Sequence, residues 1–322
     1  EKFKLEVTTL RKDVETDGRH AEVEYIDNWQ LDSERRDFTI NAIYLDNKGK
    51  IFDPQSGVND LENKNVKFIG DPNSRIEEDY LRIIRFIRFK IMYDFEIEQS
   101  TVKSIKQNLD GIRKISKERV LVELYKILSL KRFIYLNKSK DLKEIFIHMF
   151  PEFENLKRLD RLTKICNHSQ LSRVLLLSVL LIDDKNSHEY FCHKYNVSNQ
   201  IKDNFDSFAK NLKIIKENKD FFNNDLEKNI YLNSKNHLIN LNILNFVLNN
   251  KLKVKDFSEI LKSILKSKTY KFKIDGKYLI DNGMQQGALM GKVLNQVEEE
   301  WIKNNFKITE NRVKEIINQN SN

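Results

Sequence analysis

Proline, the residue that most strongly interrupts an α-helix, is rare in this chain: 322 residues contain only three. Because proline lacks a backbone N–H and clashes with the preceding turn, its scarcity leaves long stretches free to be helical. Beyond residue 130, apolar side chains recur at the helical period. That spacing predicts helices at 171–182, 201–217, 237–249, 256–266 and 291–304. We therefore expect the C-terminal part to be an all-α body.

The first fifty residues show strand patterns instead. Residues 3–10 alternate in side-chain character, which predicts a half-buried strand with Phe3 on one face and Glu6 on the other. A second strand is predicted over 40–45, followed by a turn and a return strand near Ile51. Strands that precede a run of helices place the chain in the α+β class.

Composition narrows the choice of partner and compartment. Basic side chains outnumber acidic ones, 56 to 48, for a formal charge of +8. A lysine-rich surface suits a phosphate backbone, although compositional drift of the genome explains the lysines equally well. Cys166 and Cys192 have no metal-ligand spacing, which predicts free thiols and a reducing, cytoplasmic location. The longest apolar run, 174–182, is too short to span a bilayer, so no membrane is expected.

Residues 11–21 are charged and almost free of apolar side chains. They include Asp13 and an Asp17-Gly18 turn followed by Arg19. This pattern predicts a mobile loop, which is either a lid beside a site or an ordinary solvated turn.

The most informative segment, 78–89, is predicted to be one amphipathic helix. Its charged side chains, Glu78, Asp79, Arg82 and Arg85, fall on one arc, and its apolar side chains fall on the opposite arc. One interpretation is a plain surface helix with an Asp79–Arg82 ion pair. The other is that these two side chains recognise a nucleotide base.

Hydrogen-bond chemistry specifies which bases such a pair would accept. A carboxylate accepts from an exocyclic amine, and a guanidinium donates to the ring acceptor beside it. Adenine and cytosine both offer an amine next to an acceptor, whereas uracil and guanine place a carbonyl where the amine would be. A fixed Asp79 and Arg82 would therefore accept A and C, and would leave a buried acceptor unpaired against U or G.

A second polar cluster precedes the predicted strand at 40–45. Arg35 and Arg36 are suited to clamping phosphate oxygens, and Asp37 and Asn41 are suited to ribose hydroxyls. The alternative is that these are ordinary charged side chains at the start of a strand. Further along, Asp60 is placed to cap the next segment.

Taken in order, these motifs resemble a known family. The sequence RRDFTINA at 35–42, Gly57 with Asp60, and EDYLRIIR at 78–85 closely resemble class II tRNA nucleotidyltransferases (CCA-adding enzymes) and bacterial poly(A) polymerases. The resemblance is strong over residues 1–130 and looser beyond. It implies a polymerase-beta-like nucleotidyltransferase head with a short β-sheet, followed by an all-α neck, body and tail. It also implies tRNA, CTP and ATP as partners and Mg²⁺ as cofactor.

The resemblance assigns roles to residues of this sequence. The implied nucleotide-binding residues are Arg35, Arg36, Asp37, Asn41, Asp79, Arg82 and Arg85. The last three would form the protein template that selects C or A. The implied flexible loop, which helps the site switch from C to A, contains Asp13, Asp17, Gly18 and Arg19. Glu6 would be the catalytic carboxylate on the metal side.

One family motif does not occur in this sequence: the Asp-x-Asp that binds the Mg²⁺ pair. Because Glu6 cannot hold the metals alone, we expect an incomplete form that binds nucleotide or RNA without catalysing transfer. The parent activity would be addition of C, C and A to tRNA 3′ ends. Addition of CC only, of A only, or of poly(A) by a bacterial poly(A) polymerase stays open, as does a non-catalytic RNA-binding remnant.

Four segments are predicted along the chain. They are a head at 1–68 that is incomplete at its N-terminus, a neck with the template helix at 69–130, a helical body at 131–235, and a helical RNA-binding tail at 236–322. In the tail, Lys271, Lys273 and Lys277 would contact phosphates, and Gly283 would end a helix.

Overall fold

The computed structural model describes residues 7–16, 21–96, 98–166 and 171–320. Contacts divide the chain into two compact units, 1–207 and 208–322. The chain is mostly helical with small antiparallel sheets, which confirms the α+β class. The four segments predicted from the sequence stay a prediction.

Unit 1 contains the strands and the larger set of helices. The strands are β1 (Arg11–Thr16), β2 (Ala21–Tyr25), β3 (Tyr44–Leu45) and β4 (Ile51–Phe52). Its first helices are α1 (Trp29–Glu34), α2 (Gly57–Glu62), α3 (Pro72–Glu78), α4 (Leu81–Tyr93), α5 (Gln99–Asn108) and α6 (Lys117–Leu128). The next helices are α7 (Lys140–Met149), α8 (Arg158–Leu162), α9 (Arg173–Leu181), α10 (Ser187–Tyr195) and α11 (Asn199–Glu217), which contains the division. Short 3₁₀ turns lie at Thr39–Asn41, Leu109–Lys114 and Lys131–Lys138.

The regular elements in the described part of unit 2 are all helices. Its helices are α12 (Leu226–Asn233), α13 (Lys235–Leu248), α14 (Val254–Lys266), α15 (Gly276–Asp281), α16 (Met290–Lys303) and α17 (Glu310–Asn320). The predicted helices at 237–249, 256–266 and 291–304 are confirmed within two residues at each end. Gly283 follows α15 with φ +97°, as the predicted C-terminal cap requires.

The predicted loop at 11–21 is wrong where the structure describes it. Strands β1 and β2 form an antiparallel hairpin in which Arg11 lies opposite Tyr25 and Lys12 opposite Glu24. The sequence shows why, since Val14, Thr16 and Val23 are β-branched and favour strands. Asp13 lies in β1, whereas Asp17, Gly18 and Arg19 fall outside the described residues.

The strand predicted at 3–10 also needs correction. Residues 1–6, including Glu6, lie outside the described residues, and residues 7–10 have no regular structure. The predicted strand at 40–45 is observed only as β3, because Thr39–Asn41 forms a 3₁₀ turn. The return strand is confirmed as β4.

The helix predicted over 78–89 is broken near its start. Helix α3 ends at Glu78, and Asp79 is extended with φ −153° and ψ 104°. The Asp79 Oδ1 atom accepts a hydrogen bond from the backbone N of Leu81 at 3.1 Å. A short polar side chain that bonds to nearby backbone competes with helix formation, which explains the break.

Gly111 allows the 3₁₀ turn Leu109–Lys114 to pack closely against Tyr80, which follows the break between α3 and α4. A Cβ atom added at Gly111 would lie 2.0–2.5 Å from three ring atoms of Tyr80. Only a residue without a side chain fits there. Tyr80 immediately precedes α4, so this contact fixes the position of that helix within unit 1.

The core around the break is aromatic. The ring centroids of Phe38 and Phe68 lie 4.9 Å apart, and Phe68 stacks on Phe86 of α4 at 5.6 Å. Phe38 and Phe86 are fully buried. Helix α4 also binds α6 through Arg88, whose Nε donates to buried Glu123 at 2.9 Å. Rigid packing on both sides holds the charged side chains of α4 in place.

None of the helices in the described part of the chain has the length and apolar character needed to cross a membrane.

Candidate functional site

Asp32, on α1, is the centre of a polar cluster in unit 1. Its side chain is 0% exposed. Arg35 donates to Oδ1 from Nε at 2.8 Å and from Nη2 at 2.6 Å. Arg36 donates to Oδ2 from Nε at 3.2 Å and from Nη2 at 2.8 Å. One buried carboxylate therefore orients both arginines of the predicted phosphate clamp.

A tyrosine completes the Asp32 cluster. The Tyr44 hydroxyl donates to Oδ2 of Asp32 at 2.7 Å, and the Tyr44 ring stacks on Trp29 with centroids 5.4 Å apart. Burial and the neighbouring Asp32 carboxylate raise the pKa of Tyr44 to about 12. The hydroxyl therefore stays protonated and remains a donor at neutral pH.

Opposing effects act on the Asp32 carboxyl itself. Burial raises its pKa, but the hydrogen bonds from Tyr44, Arg36, Arg35 and the Arg11 backbone outweigh burial and hold the pKa well below its ordinary value. Asp32 is therefore ionised at neutral pH, and the two arginines keep their anchor.

The same cluster is attached to the β1–β2 hairpin. The backbone N of Arg11 donates to Oδ1 of Asp32 at 3.2 Å, and Nε of Arg35 donates to the backbone O of Arg11 at 3.0 Å. The first strand of the hairpin thus starts at the predicted phosphate clamp.

Asp37 joins the predicted clamp to α4. Its Oδ2 accepts from Nε of Arg85 at 2.6 Å, and its Oδ1 accepts from Nδ2 of Asn41 at 2.9 Å. Asp37 is 7% exposed. The structure therefore brings Arg85 to Asp37 and Asn41, which lie more than forty residues earlier in the sequence, and all three were predicted to serve one nucleotide.

Arg82 is held from the preceding helix. Its Nη1 donates to Oε2 of Glu78 at 2.6 Å and to the backbone O of Arg75 at 2.7 Å. Burial raises the pKa of Glu78, but hydrogen bonds from Arg82 and Arg75 outweigh it and lower the pKa. The predicted Asp79–Arg82 pair is thus replaced by a Glu78–Arg82 pair.

Asp79 has a different partner, on α6. Nη2 of Arg119 donates to Oδ2 of Asp79 at 2.7 Å. Ser116, the N-cap of α6, accepts from the backbone N of Arg119 at 3.5 Å. Each side chain of the predicted base-selecting pair is therefore fixed by a separate ionic partner.

Three residues of this region were not identified from the sequence. Asp32 precedes Arg35 and Arg36 by three and four residues, a helical spacing that could have revealed the cluster. Arg75 precedes Glu78 by three residues, with the same signal. Arg119 is forty residues from Asp79, and no local pattern indicates that pairing.

The metal prediction has no counterpart in the described residues. Within 7–16, 21–96, 98–166 and 171–320, no group of three or more His, Cys, Asp or Glu side chains is arranged to hold a metal ion. Glu6, the residue predicted on the metal side, lies outside those ranges.

The predicted RNA-binding lysines lie in unit 2. Lys271, Lys273 and Lys277 are exposed, and Phe272 and Ile274 between them pack on the core of α15–α17. This alternation directs the lysines of one segment toward solvent.

Comparisons with known proteins agree with this architecture. The family model described as "Poly A polymerase head domain" matches residues 1–67, and that described as "Probable RNA and SrmB- binding site of polymerase A" matches residues 94–156. The human protein named "CCA tRNA nucleotidyltransferase 1, mitochondrial" is 31% identical, over 94% of this chain and 70% of its own length. The CCA-adding enzyme of Lactobacillus helveticus is 29% identical, over 91% of this chain and 73% of its own length.

Solved structures show the same fold. The CCA-adding enzyme of Bacillus stearothermophilus in complex with CTP has a TM-score of 0.67 at 21% identity, covering 98% of this chain and 78% of that one. The Thermotoga maritima CCA-adding enzyme complexed with tRNA has a TM-score of 0.60 at 22% identity, covering 90% of this chain and 74% of that one.

Proposed function

The chain belongs to the CCA tRNA nucleotidyltransferase family, and from this membership we propose that it binds CTP, ATP and tRNA for addition of C, C and A to tRNA 3′ ends. The observation that carries the proposal is the junction of α3 and α4. There Asp79 is an acceptor held by Arg119, and Arg82 is a donor held by Glu78. Arg85, three residues after Arg82 on α4, pairs with Asp37.

Different residues would contact the triphosphate, the ribose and the base of the nucleotide. Arg35 and Arg36, oriented by Asp32, would bind the triphosphate, and Asn41, oriented by Asp37, would meet the ribose. Arg85 would secure that ribose contact by holding Asp37. Asp79 would accept from the exocyclic amine of C or A, and Arg82 would donate to the adjacent ring acceptor. The 3′-hydroxyl of tRNA would attack the α-phosphate in line and release pyrophosphate.

We further propose Mg²⁺ as the ion that the reaction uses, with Glu6 as one of its ligands. We also propose a cytoplasmic location, which the free cysteines favour. The human relative, by contrast, is by name mitochondrial. Asp13, Asp17, Gly18 and Arg19 remain proposed for the segment that helps the site switch from C to A; the last three lie outside the described residues.

Base selection gives a direct test with Asp79→Asn. We expect the unaltered chain to bind CTP and ATP more tightly than UTP and GTP, because a mismatch leaves a buried polar group unpaired at a cost of about 1–3 kcal/mol. The variant can turn an amide donor toward the base, so its preference for CTP over UTP should fall by about tenfold or more. Equilibrium titrations with fluorescent nucleotides measure both ratios.

Asp110→Asn is the matched control for that test. Asp110 is 79% exposed on the turn after α5 and should leave the nucleotide preference unchanged. Equal affinity of the unaltered chain for all four nucleotides would contradict the assignment of Asp79 and Arg82.

The activity assay separates the candidate reactions. We would supply tRNA lacking its 3′ CCA, Mg²⁺ and labelled CTP or ATP to this chain, and to a longer form that includes any coding sequence that precedes it. Addition that stops after C, C and A supports the proposal. Long A tails would instead identify a poly(A) polymerase, and tRNA binding without addition by either form would identify a non-catalytic RNA-binding protein.

Salt dependence tests the tail. Replacing Lys271, Lys273 and Lys277 together by Gln should weaken tRNA binding and reduce the slope of log K against log salt by about 0.7–0.9 for each lost phosphate contact. A control triple variant changes other exposed lysines of unit 2, namely Lys213, Lys219 and Lys228. Equal slopes for the two triple variants would overturn the assignment.

A further inference from the structure

Arg75 of α3 contacts both halves of the proposed nucleotide site, although it belongs to neither half by sequence motif. Its Nη2 donates to the backbone O of Arg35 at 2.9 Å and to the backbone O of Arg36 at 2.5 Å. Its Nη1 donates to Oε2 of Glu78 at 2.5 Å. The side chain is 13% exposed.

The contacts of Arg75 continue directly to the base-selecting side chain. Arg82 donates from one nitrogen, Nη1, both to the backbone O of Arg75 and to the Glu78 oxygen that Arg75 also contacts. Arg75 therefore connects the backbone of Arg35 and Arg36, which would bind phosphate, to the guanidinium of Arg82, which would select the base.

Plain structural packing does not explain this arrangement. The Nε atom of Arg75 is buried and has no hydrogen-bond partner, and a buried unpaired donor opposes folding. Two cationic guanidiniums, those of Arg75 and Arg82, also share one carboxylate. Unfavourable local arrangements of this kind are typical of residues whose geometry serves a site.

We propose that Arg75 is a positioning residue that couples triphosphate binding at Arg35 and Arg36 to base selection at Arg82. The inference rests on the proposed function and adds a mechanism of specificity to it. When bound phosphates restrain the backbone of residues 35 and 36, the hydrogen bonds of Arg75 to that backbone and to Glu78 also restrain Arg82. Selection between C and U is then sharper for a triphosphate than for a monophosphate.

The planar guanidinium is essential to this coupling. Its separate nitrogens reach two consecutive carbonyls on one side and a carboxylate on the other. A lysine carries the same charge on a single nitrogen and cannot reproduce that fork. Arg75→Lys therefore removes the geometry while keeping the charge.

The experiment compares two selectivity ratios in the full chain. Dissociation constants are measured for CTP, UTP, CMP and UMP, and for inorganic tripolyphosphate as a probe of the phosphate clamp alone. In the unaltered chain we expect the CTP/UTP preference to exceed the CMP/UMP preference by about fivefold or more, the lower end of coupling between sites. In Arg75→Lys the two preferences should become equal, with tripolyphosphate still bound.

Controls separate coupling from loss of structure. Arg113→Lys, at an arginine that is 84% exposed, should keep both ratios. If Arg75→Lys fails to fold, Glu78→Gln tests the same connection. It removes the negative charge that Arg75 and Arg82 share, and it leaves the Arg75 hydrogen bonds to the backbone O atoms of residues 35 and 36. Restoration of the CTP/UTP preference in Arg75→Ala by added methylguanidinium would further support coupling.

The outcomes distinguish the two hypotheses. If the unaltered chain prefers CTP to UTP and Arg75→Lys and Glu78→Gln keep the full triphosphate advantage, the coupling is wrong and the proposed function stands. If the variants lose affinity for every ligand in equal proportion, Arg75 is only structural, and the coupling is again wrong. If the unaltered chain shows no preference at all, the proposed function fails and the coupling fails with it.

Discussion

Replacing Asp32 by Asn is expected to destabilise unit 1 and to abolish tight triphosphate binding. The substitution leaves Arg35 and Arg36 without their shared buried carboxylate. Breaking a buried ion pair by removing one partner costs about 3–5 kcal/mol, and we expect about 3 because both arginines are partly exposed. Urea unfolding measures the loss, and titration with tripolyphosphate should show affinity reduced by about tenfold or more.

A nearby control isolates the effect of Asp32. Asp27→Asn, at an exposed position just before α1, should change neither unfolding nor tripolyphosphate binding. If Asp32→Asn kept the affinity of the unaltered chain, the two arginines would not depend on Asp32 for their orientation.

Acid provides an independent test of the same carboxylate. The folded-state pKa of Asp32 is lowered, so its ionised form stabilises the fold fully above the unfolded pKa of about 4 and less as pH falls toward the folded pKa. The stability difference between the unaltered chain and Asp32→Asn should therefore be constant from about pH 8 to pH 5 and shrink below about pH 4. Urea unfolding at several pH values measures it.

Gly57→Ala is the second substitution with a large expected effect. A Cβ atom there would lie 2.2 Å from the backbone O of Thr39 and 2.9 Å from Cγ1 of Ile43. Because the nearest atom belongs to the backbone, the Thr39–Asn41 turn must move. Overpacking of this kind costs about 1–3 kcal/mol, and we expect the upper end of that range. Urea unfolding gives the stability, and nucleotide titration reports the displacement of Asn41.

Gly291→Ala is the matched control for Gly57→Ala. Both glycines lie in the first turn of a helix, but a Cβ at Gly291 would meet no atom within 4 Å. Alanine favours a helix over glycine by up to about 1 kcal/mol, so this variant should be as stable as the unaltered chain or more stable. Similar destabilisation of the two variants would show that the contact with Thr39 is not the cause.

Periodicity predicted most of the helical part correctly. The predicted helix at 237–249 is observed as α13, and the predicted helix at 256–266 is observed within α14. These segments succeed because their buried faces, including Leu241, Leu244 and Phe257, recur at the helical spacing.

Local polar chemistry was harder to predict. Asp79 lies within a helical pattern, yet its own hydrogen bond to the Leu81 backbone N breaks the helix. Asp60 was expected to cap a helix, but it lies inside α2 and accepts from the Thr39 hydroxyl at 2.7 Å. The N-cap residue of α2 is Ser56, whose side chain makes no capping hydrogen bond; Asp53 instead accepts from the backbone N of Gly57 at 2.7 Å.

Ion pairs between distant residues could not be obtained from spacing at all. Asp37 pairs with Arg85, and Asp79 pairs with Arg119, across 48 and 40 residues. A helical pattern offers each charge a neighbour three or four positions away, so it suggested the Asp79–Arg82 pair. Tertiary packing decided the actual partners. Arg119 lies on α6, which packs against α4, and Asp37 precedes Phe38, whose ring contacts that of Phe86 on α4.

The attachment of the β1–β2 hairpin has a consequence for how its sequence can vary. Asp32 and Arg35 hold position 11 through its main-chain N–H and C=O. Almost any amino acid presents those two groups, but proline lacks the N–H. These two main-chain hydrogen bonds therefore do not require a particular side chain at position 11. Relatives that differ there are expected to keep both bonds unless they acquire proline.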